Sequence, residues 1–375
     1  MPFQGKTVMD QRLEFVLAAT QPEVNRAALY RHYGIDPKTG RKWIARYLAG
    51  GPAALADHTR RPHTSPRQTP PALEAQVIAV RAAHPTWGGR KIAAWLEQHG
   101  VAAAPAPSTI TSILARQGRL DGPRAGEPRT YRRFEHATPN ALWQLDFMGH
   151  KPLRQGRVHP LTVLDDHSRF GLGLIACPHE RGRLVQQHLI AVFQAYGLPQ
   201  AILADHGPPW GAAQPGVLTW LAAWLIRLGI RVYHGRPLHP QTRGKIERWH
   251  RTIATDLFQF QPFPDLAATQ RAFDRYRTEY NTDRPHDALP DLVVPASRYQ
   301  PSARPYPKTL PEIAYSEDHT VCRVHQHGTI WFAGRPHFIS EALAGLPVGV
   351  RPTAVDGVFV VRFCAQAIRR LDLRH

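Results

Sequence analysis

Apolar residues follow three different rhythms along this chain. They recur at helical spacing in the first third, alternate between strand-like and helix-like blocks in the middle, and form short glycine-separated runs at the end. In the first stretch, Leu13, Val16 and Leu17 share one face of a helix that Asp10 can cap. A second helix is expected over residues 23–33, closed by Gly34. Asp36-Pro37 opens a third, with proline at its first position, where the missing N–H costs nothing. That helix turns Trp43, Ile44, Tyr47 and Leu48 inward and leaves Lys38, Arg41, Lys42 and Arg46 for solvent or phosphate. A helix, a glycine-bearing turn and a basic helix read as a helix-turn-helix unit over residues 1–56; the plainer alternative is a three-helix bundle with a solvated basic face.

Residues 57–71 are basic and too proline-rich for a helix, so they read as an extended linker suited to a DNA backbone. A second three-helix set is expected over 72–120, with helices at 72–83 and 90–98, a stop at Gly100, and a last helix capped by Ser108. Arg90, Lys91, Ser108, Thr109 and Arg116, with Thr111 and Ser112, offer hydroxyl and basic groups to phosphates and base edges. Residues 121–136 form another linker. From 137 to 299 the order is strand, strand, strand, helix, strand, helix, strand, helix, an α/β core. Its first hairpin turns around Asp165-Asp166-His167-Ser168-Arg169, which reads as ordinary turn chemistry. Proline-rich 300–312 reads as a linker, and 313–375 as a small β-barrel or curled sheet. The fold class is therefore multidomain: all-α helix-turn-helix units, a central α/β core and a C-terminal small β-barrel.

Charge narrows the partner. Among 375 residues, 47 Lys and Arg face 29 acids, a formal net charge of +18, which favours a polyanion and most economically nucleic acid. A membrane surface is the competing partner for positive charge, but the longest apolar run, near Val217, is too short to span a bilayer and ends at Arg227. No apolar signal segment opens the sequence, so a cytoplasmic protein is expected. Cys177, Cys322 and Cys364 are far apart and read as core residues of a reducing compartment; the histidines, His234 and His239 included, lack the spacing of a zinc site.

The candidate chemistry lies in three acids. Asp146 sits in the bulky apolar run Leu142-Trp143-Gln-Leu145-Asp146-Phe147, where a lone carboxylate is costly unless paired or bound to a cation. Asp205 ends a second apolar strand, and Glu247 rides on a basic helix whose buried stripe is Ile246, Trp249, Ile253 and Leu257. A right-handed crossover can make the first two strands parallel neighbours, with both acids at one sheet edge. Carboxylates delivered by strand, strand and helix suit hard divalent cations and phosphates.

Three blocks carry a resemblance: Trp143-Gln-Leu-Asp146, Leu203-Ala-Asp205-His-Gly207, and Gln241-Thr-Arg-Gly-Lys245-Ile-Glu247-Arg-Trp-His-Arg251. Together with Val163-Leu-Asp-Asp-His-Ser-Arg169 and Tyr280-Asn-Thr-Asp-Arg-Pro-His286, they resemble the DDE transposase and retroviral-integrase superfamily, above all bacterial insertion-sequence transposases. The resemblance implies an RNase H-like core using two magnesium ions, with manganese able to substitute. Asp146 would bridge the ions, and Asp205 and Glu247 would each complete one. It implies cleavage at the ends of the enzyme's own element and 3′-hydroxyl attack on a target strand. It further implies double-stranded DNA partners (terminal inverted repeats and target), at least a homodimer during synapsis, no membrane, and association with a bacterial nucleoid. Lys245, Arg248 and Arg251 are expected at substrate phosphates, and Trp210 either at a base or in the core.

Three departures stand out. His206 takes a place commonly held by Asn, the interval from Asp205 to Glu247 is lengthened near Gly211, and no His/Cys zinc module precedes the core. A nuclease or resolvase on the same core, or a non-catalytic regulator derived from a transposase, are the competing readings.

Overall fold

The computed structural model describes residues 6–58, 68–120, 135–211, 217–234, 244–259 and 262–374. Most of the first two linkers expected from the sequence, and the 212–216 part of the lengthened interval, lie outside the described residues. The chain divides into two units, Met1–Gln68 and Thr69–His375.

In the first unit, α1 (Val8–Ala19), α2 (Arg26–His32) and α3 (Pro37–Gly50) enclose Phe15, Val16, Ala19, Trp43, Ile44 and Leu55. Thr7, not Asp10, is the N-cap of α1; Asp10 closes the reciprocal capping box from three residues inside. Asn25 caps α2, three residues later than expected from the sequence, because Glu23 adopts a left-handed backbone. Asp36 and Pro37 open α3 as expected. Leu17 and Leu48, expected inward, are 44% and 72% exposed. Leu17 follows the buried Val16 and Leu48 the half-buried Tyr47, each turned about 100° further around its helix. Gly40 allows α2 against α3, since a Cβ there would lie 2.2 Å from the Tyr30 ring.

The second unit begins with α4 (Pro71–Ala83), α5 (Gly89–Gln98) and α6 (Pro107–Arg116), packed around Val77, Trp87, Ile92, Leu96, Ile110 and Leu114. Ser108 does not cap α6: Pro107 takes the first position and no side chain caps the helix. This bundle is fastened to the core by polar groups. Trp95 Nε1 donates to Asp283 (2.9 Å), Thr86 to Asp256 (2.7 Å), and Lys91 pairs with Asp287 (3.0 Å).

The core sheet contains β1 (Trp143–Phe147), the two-residue β2 (Lys151–Pro152), β3 (Arg157–Asp165), β4 (Gly171–Cys177), β5 (Ala201–Ala204) and β6 (Arg231–His234). Strand β3 is antiparallel to β1 and β4, whereas β5 is parallel to both β1 and β6. Alternation along the strands divides the buried residues between two faces. Trp143, Leu145, Leu161 and Val163 pack with α7 (Gly182–Tyr196) and α8 (Trp220–Arg227). Leu164 and Leu174 pack with α9 (Gly244–Ile253) and α10 (Leu266–Thr282) through Trp249, Ile253, Phe273 and Tyr280. Trp210 is 3% exposed and belongs to the first of these cores, so it fills space and does not stack on a base.

In the tail one expectation needs correction, and of the barrel and curled-sheet alternatives only a sheet is seen among the described residues. The proline-rich stretch is not a free linker but a strap laid on the core. Leu198 N donates to Arg304 O (2.7 Å), Ser302 N to Tyr196 O (2.8 Å), and the Arg304 guanidinium serves the carbonyls of Pro199, Leu228 and Gly229. Those carbonyls follow the ends of α7 and α8, in the turns beyond them. Beyond it, β7 (Thr320–Arg323), β10 (Pro347–Pro352), β11 (Val358–Phe363) and β12 (Gln366–Asp372) form an antiparallel sheet, and β8 (Thr329–Phe332) pairs separately with β9 (Arg335–Phe338). Among the described residues this sheet runs β12-β11-β10-β7 and does not close into a barrel. Its apolar face, including Val348, Val361 and Phe363, merges with the core that α8 covers, and Gln366 bonds both backbone groups of Val232 on β6. Burial against a neighbour removes the need to curl into a barrel. Among the described residues no helix is long and apolar enough to cross a membrane.

Candidate active site

Strand register brings the first two acids together. Trp143 lies beside Ile202 and Gln144 beside Leu203 in the parallel pair; carried on, that register sets Asp146 level with Asp205. Both are half-buried at the sheet end, in contrast to the fully buried apolar run before each. Strand β5 stops at Ala204, and Asp205 begins the turn, accepting at Oδ1 from Gly207 N (3.1 Å). Its backbone oxygen accepts from His234 Nδ1 at 2.7 Å, which ties the turn to β6. His206 is exposed, its ring 5.2 Å from that of His234.

Glu247 lies in the first turn of α9 and is exposed, while Ile246, Trp249 and Ile253 face the sheet, as the stripe required. Helix α9 is docked onto the strand of Asp146 from both sides of Glu247. Before it, Ile246 N donates to Gln144 Oε1 (3.3 Å) and Lys245 Nζ to Asp166 Oδ2 (2.5 Å). After it, His250 Nε2 meets Thr162 Oγ1 at 2.7 Å. Thr162 is the residue across from Asp146 in the β1–β3 pair, and its hydroxyl donates to the Asp146 carbonyl (2.8 Å).

Among the described residues, no three His, Cys, Asp or Glu side chains are gathered closely enough to hold a metal ion. The close convergence of three acids expected from the sequence is therefore present as two level acids and a third on a docked helix, not as a closed set of ligands. The donor type still fits a hard divalent cation, because every candidate ligand is a carboxylate.

Several family models match the chain. Two integrase core domain models match residues 136–240 and 228–292, and an IS481 family transposase C-terminal domain matches 319–375. A homeodomain-like domain matches 39–114 and a helix-turn-helix domain 11–63. Among curated relatives, the insertion element IS407 uncharacterized 31.7 kDa protein of Burkholderia multivorans is 25% identical over 40% of this chain and 52% of its own length. The chain thus spans about half of that relative. The insertion element IS476 uncharacterized 39.2 kDa protein of Xanthomonas euvesicatoria is 23% identical over 71% of this chain and 74% of its own. The chain carries an integrase core domain followed by an IS481 family transposase C-terminal domain.

Solved structures similar to this chain include a simian T-cell lymphotropic virus intasome in complex with the PP2A regulatory subunit B56 gamma. It shows 16% identity, covers 79% of this chain and 98% of that one, and has a TM-score of 0.38. A magnesium complex of the HTLV-2 integrase catalytic core shows 15% identity, covers 44% and 99%, and has a TM-score of 0.32.

The residues expected at DNA fall into two groups. Lys38, Arg41, Lys42, Arg90, Ser108, Arg248 and Arg251 are exposed; Thr109 and Arg46 are half-buried, with the Arg46 guanidinium 5.1 Å from the Trp43 ring. Three others are engaged within the protein. Lys91 holds Asp287, Arg116 pairs with Glu74 at 2.6 Å, and Lys245 is bound to Asp166. Burial, with the Arg169 charge nearby, pushes the Lys245 ammonium below its ordinary range, and Asp166 only partly offsets this.

The Asp165-Asp166 pair, expected as turn chemistry, proves to be 0% and 1% exposed. Asp165 accepts from Asn140 N, Ser168 N and Ser168 Oγ, and burial raises its pKa despite those bonds. Asp166 accepts from Gln144 Nε2 (2.8 Å), His136 N (3.0 Å) and Lys245. Sequence reasoning missed Gln144 and Asp166 as the seat of α9; the one available signal was a polar Gln inside a strand otherwise apolar before its acid.

Proposed function

We propose that this chain is a DNA transposase that cleaves at the ends of its own element and joins the freed 3′-hydroxyls to target DNA. The observation carrying this reading is the parallel register that sets Asp146 level with Asp205 while α9 docks Glu247 beside the same strand. Asp146, Asp205 and Glu247 would hold two magnesium ions, for which manganese can substitute. Held by these carboxylates, such ions would supply Lewis-acid activation of the attacking hydroxyl and stabilisation of the leaving oxygen. The protein's own part is positional. The sheet fixes two carboxylates and the helix presents the third, while Arg248 and Arg251, exposed on the same helix, neutralise phosphates of the strand being cut.

The two helical bundles bind the terminal repeats. Lys38, Arg41, Lys42 and Arg46 serve from the first, and Arg90, Ser108 and Thr109 from the second. Two ends must be held at once, so the working form is at least a dimer, acting on the bacterial nucleoid in the cytoplasm. Cleavage and strand-transfer assays on end DNA with magnesium test the reading. Asp146→Asn, Asp205→Asn and Glu247→Gln should each abolish both reactions and leave end binding intact. Full activity in any of the three refutes the site.

A further inference from the structure

Lys245 was expected to meet DNA, yet its ammonium is 16% exposed and lies on a carboxylate that is itself buried. That carboxylate, Asp166, is held at its other oxygen by the Gln144 amide, whose carbonyl in turn accepts from Ile246 N. A closed loop of bonds thus runs from the strand of Asp146, through the residue after β3, to the first turn of α9 and back. On the far side of Glu247, His250, Thr162 and the Asp146 carbonyl form a second path between helix and strand. Glu247 lies between the two attachments. Exposed, it cannot be placed by packing of its own side chain.

We infer that Gln144, Asp166 and Lys245 on one side, and Thr162 with His250 on the other, are positioning residues that set the Glu247 carboxylate relative to Asp146. This rests on the active-site reading above and assigns Lys245 to the frame of the site, not to the DNA. The frame acts through the helix axis. With the Lys245 link removed, the first turn of α9 loses its shortest polar tie to the sheet, leaving the packing of Ile246 and the long 3.3 Å bond from Ile246 N to Gln144, and Glu247 is less closely fixed. Partners that orient ligating groups in this way typically contribute about 10- to 100-fold in metal affinity or activity.

The test uses the full-length chain as Lys245→Met, Lys245→Arg and Thr162→Val, with Asp146→Asn as control. Four quantities are read: thermal melting, end-DNA affinity and its salt slope without divalent metal, single-turnover cleavage at saturating DNA, and Mn2+ affinity measured from free-ion EPR. Lys245→Met should bind end DNA within about twofold of wild type with an unchanged salt slope. Its cleavage rate and Mn2+ affinity should each fall about 10- to 100-fold. Lys245→Arg should recover part of both, and Thr162→Val, which acts from the opposite side of Glu247, should reproduce the loss even if Lys245→Met fails to fold. Weakened DNA binding and a shallower salt slope, with normal cleavage at saturation, would make Lys245 a phosphate contact and overturn the inference. So would wild-type cleavage and Mn2+ affinity in folded Lys245→Met and Thr162→Val. If Asp146→Asn itself cleaved normally, the underlying site would fail; a dead Asp146→Asn beside a fully active Lys245→Met would sink the frame alone.

Discussion

Gly171 opens β4 directly under the helix that carries Glu247, and replacing it with alanine should disturb stability and chemistry together. A Cβ at this position would lie 2.8 Å from Trp249 Cζ2 and 2.9 Å from Cη2, where ordinary contact begins at 3.4 Å. The strand cannot yield by sliding, because Gly171 N donates to Asn281 Oδ1 (2.8 Å) and Gly171 O accepts from Asn281 Nδ2 (3.0 Å). Nor can the indole swing aside, since Trp249 is 2% exposed and packs on Tyr280 at 5.3 Å. Relief must come from α9 moving outward by about half an ångström, an overpacking cost of about 1–3 kcal/mol. Alanine's advantage over glycine in a strand, at most about 1 kcal/mol, does not offset that. Because a displacement of about 1 Å at reacting groups can cost about 100-fold, cleavage should slow by roughly tenfold.

Urea unfolding and single-turnover cleavage of end DNA measure the two effects. Trp249→Phe supplies the decisive cross, since it deletes the two atoms that the new methyl would strike. The double variant should be more stable than the sum of the single losses predicts, by about 1 kcal/mol or more. Strict additivity, or wild-type stability and rate in Gly171→Ala, would refute the argument that this glycine makes room for α9.

Two further outcomes follow from buried ionisable groups. Burial, followed by the charges of Arg169 and Lys91, pushes the pKa of His286 down from an ordinary 6.5 to about 3. The unfolded chain therefore takes up a proton in that window that the folded chain refuses. The His286 contribution is complete above pH 6.5 and is lost as pH falls toward 3, at most about 1.4 kcal/mol per pH unit. Urea melts at pH 7.5 and 5.0 should show His286→Gln losing about 2 kcal/mol less than wild type on acidification; equal losses would count against a neutral buried imidazole. Arg284 and Asp256 form an ion pair with side chains 7% and 10% exposed, and Thr86 donates to the same carboxylate. Arg284→Met should cost about 3–5 kcal/mol by stranding that charge, and Asp256→Asn should restore part of it. A loss under about 1 kcal/mol in the single variant would show the pair to be solvated.

The readable parts of this molecule are those that a local pattern decides. Helix α3 was legible because Asp36 and Pro37 fix its start and Trp43 and Ile44 its inner face, and the β3–β4 hairpin because both arms are continuous apolar runs around polar turn residues. The level placement of Asp146 and Asp205 followed from the handedness of a crossover, which is general to such sheets. What stayed hidden was set by partners distant in sequence. Leu48 looks buriable, yet it is 72% exposed; residues 300–312 look like a spacer, yet carbonyls following the helix ends claim Arg304. The last strands carry a barrel's alternation, but their apolar face is covered by the core before any closure is needed.

Acids make the same point more sharply, because composition cannot tell a ligand from a strut. Asp165 has one carboxylate oxygen bonded to Asn140 N and the other to both donors of Ser168; Asp166 is likewise bonded at both oxygens, by Gln144, His136 and Lys245. A carboxylate bonded in this way at both oxygens and wholly buried would have to give up bonds, in a place without water to replace them, before it could bind a cation. Asp205 differs on both counts: it is half-buried, and the backbone N–H of Gly207 approaches Oδ1 within its own turn. Asp165 and Asp166, bonded at both oxygens, belong to the frame, and Asp146 and Asp205 lie half-buried at the end of the sheet. On the facing strands Asp165 lies across from Trp143, three positions from Asp146, and Gln144 joins Asp166 to the strand of Asp146. A change that loosens one set should therefore be felt by the other, and this coupling explains why Lys245, so near Glu247 in sequence, is directed to Asp166 and away from solvent.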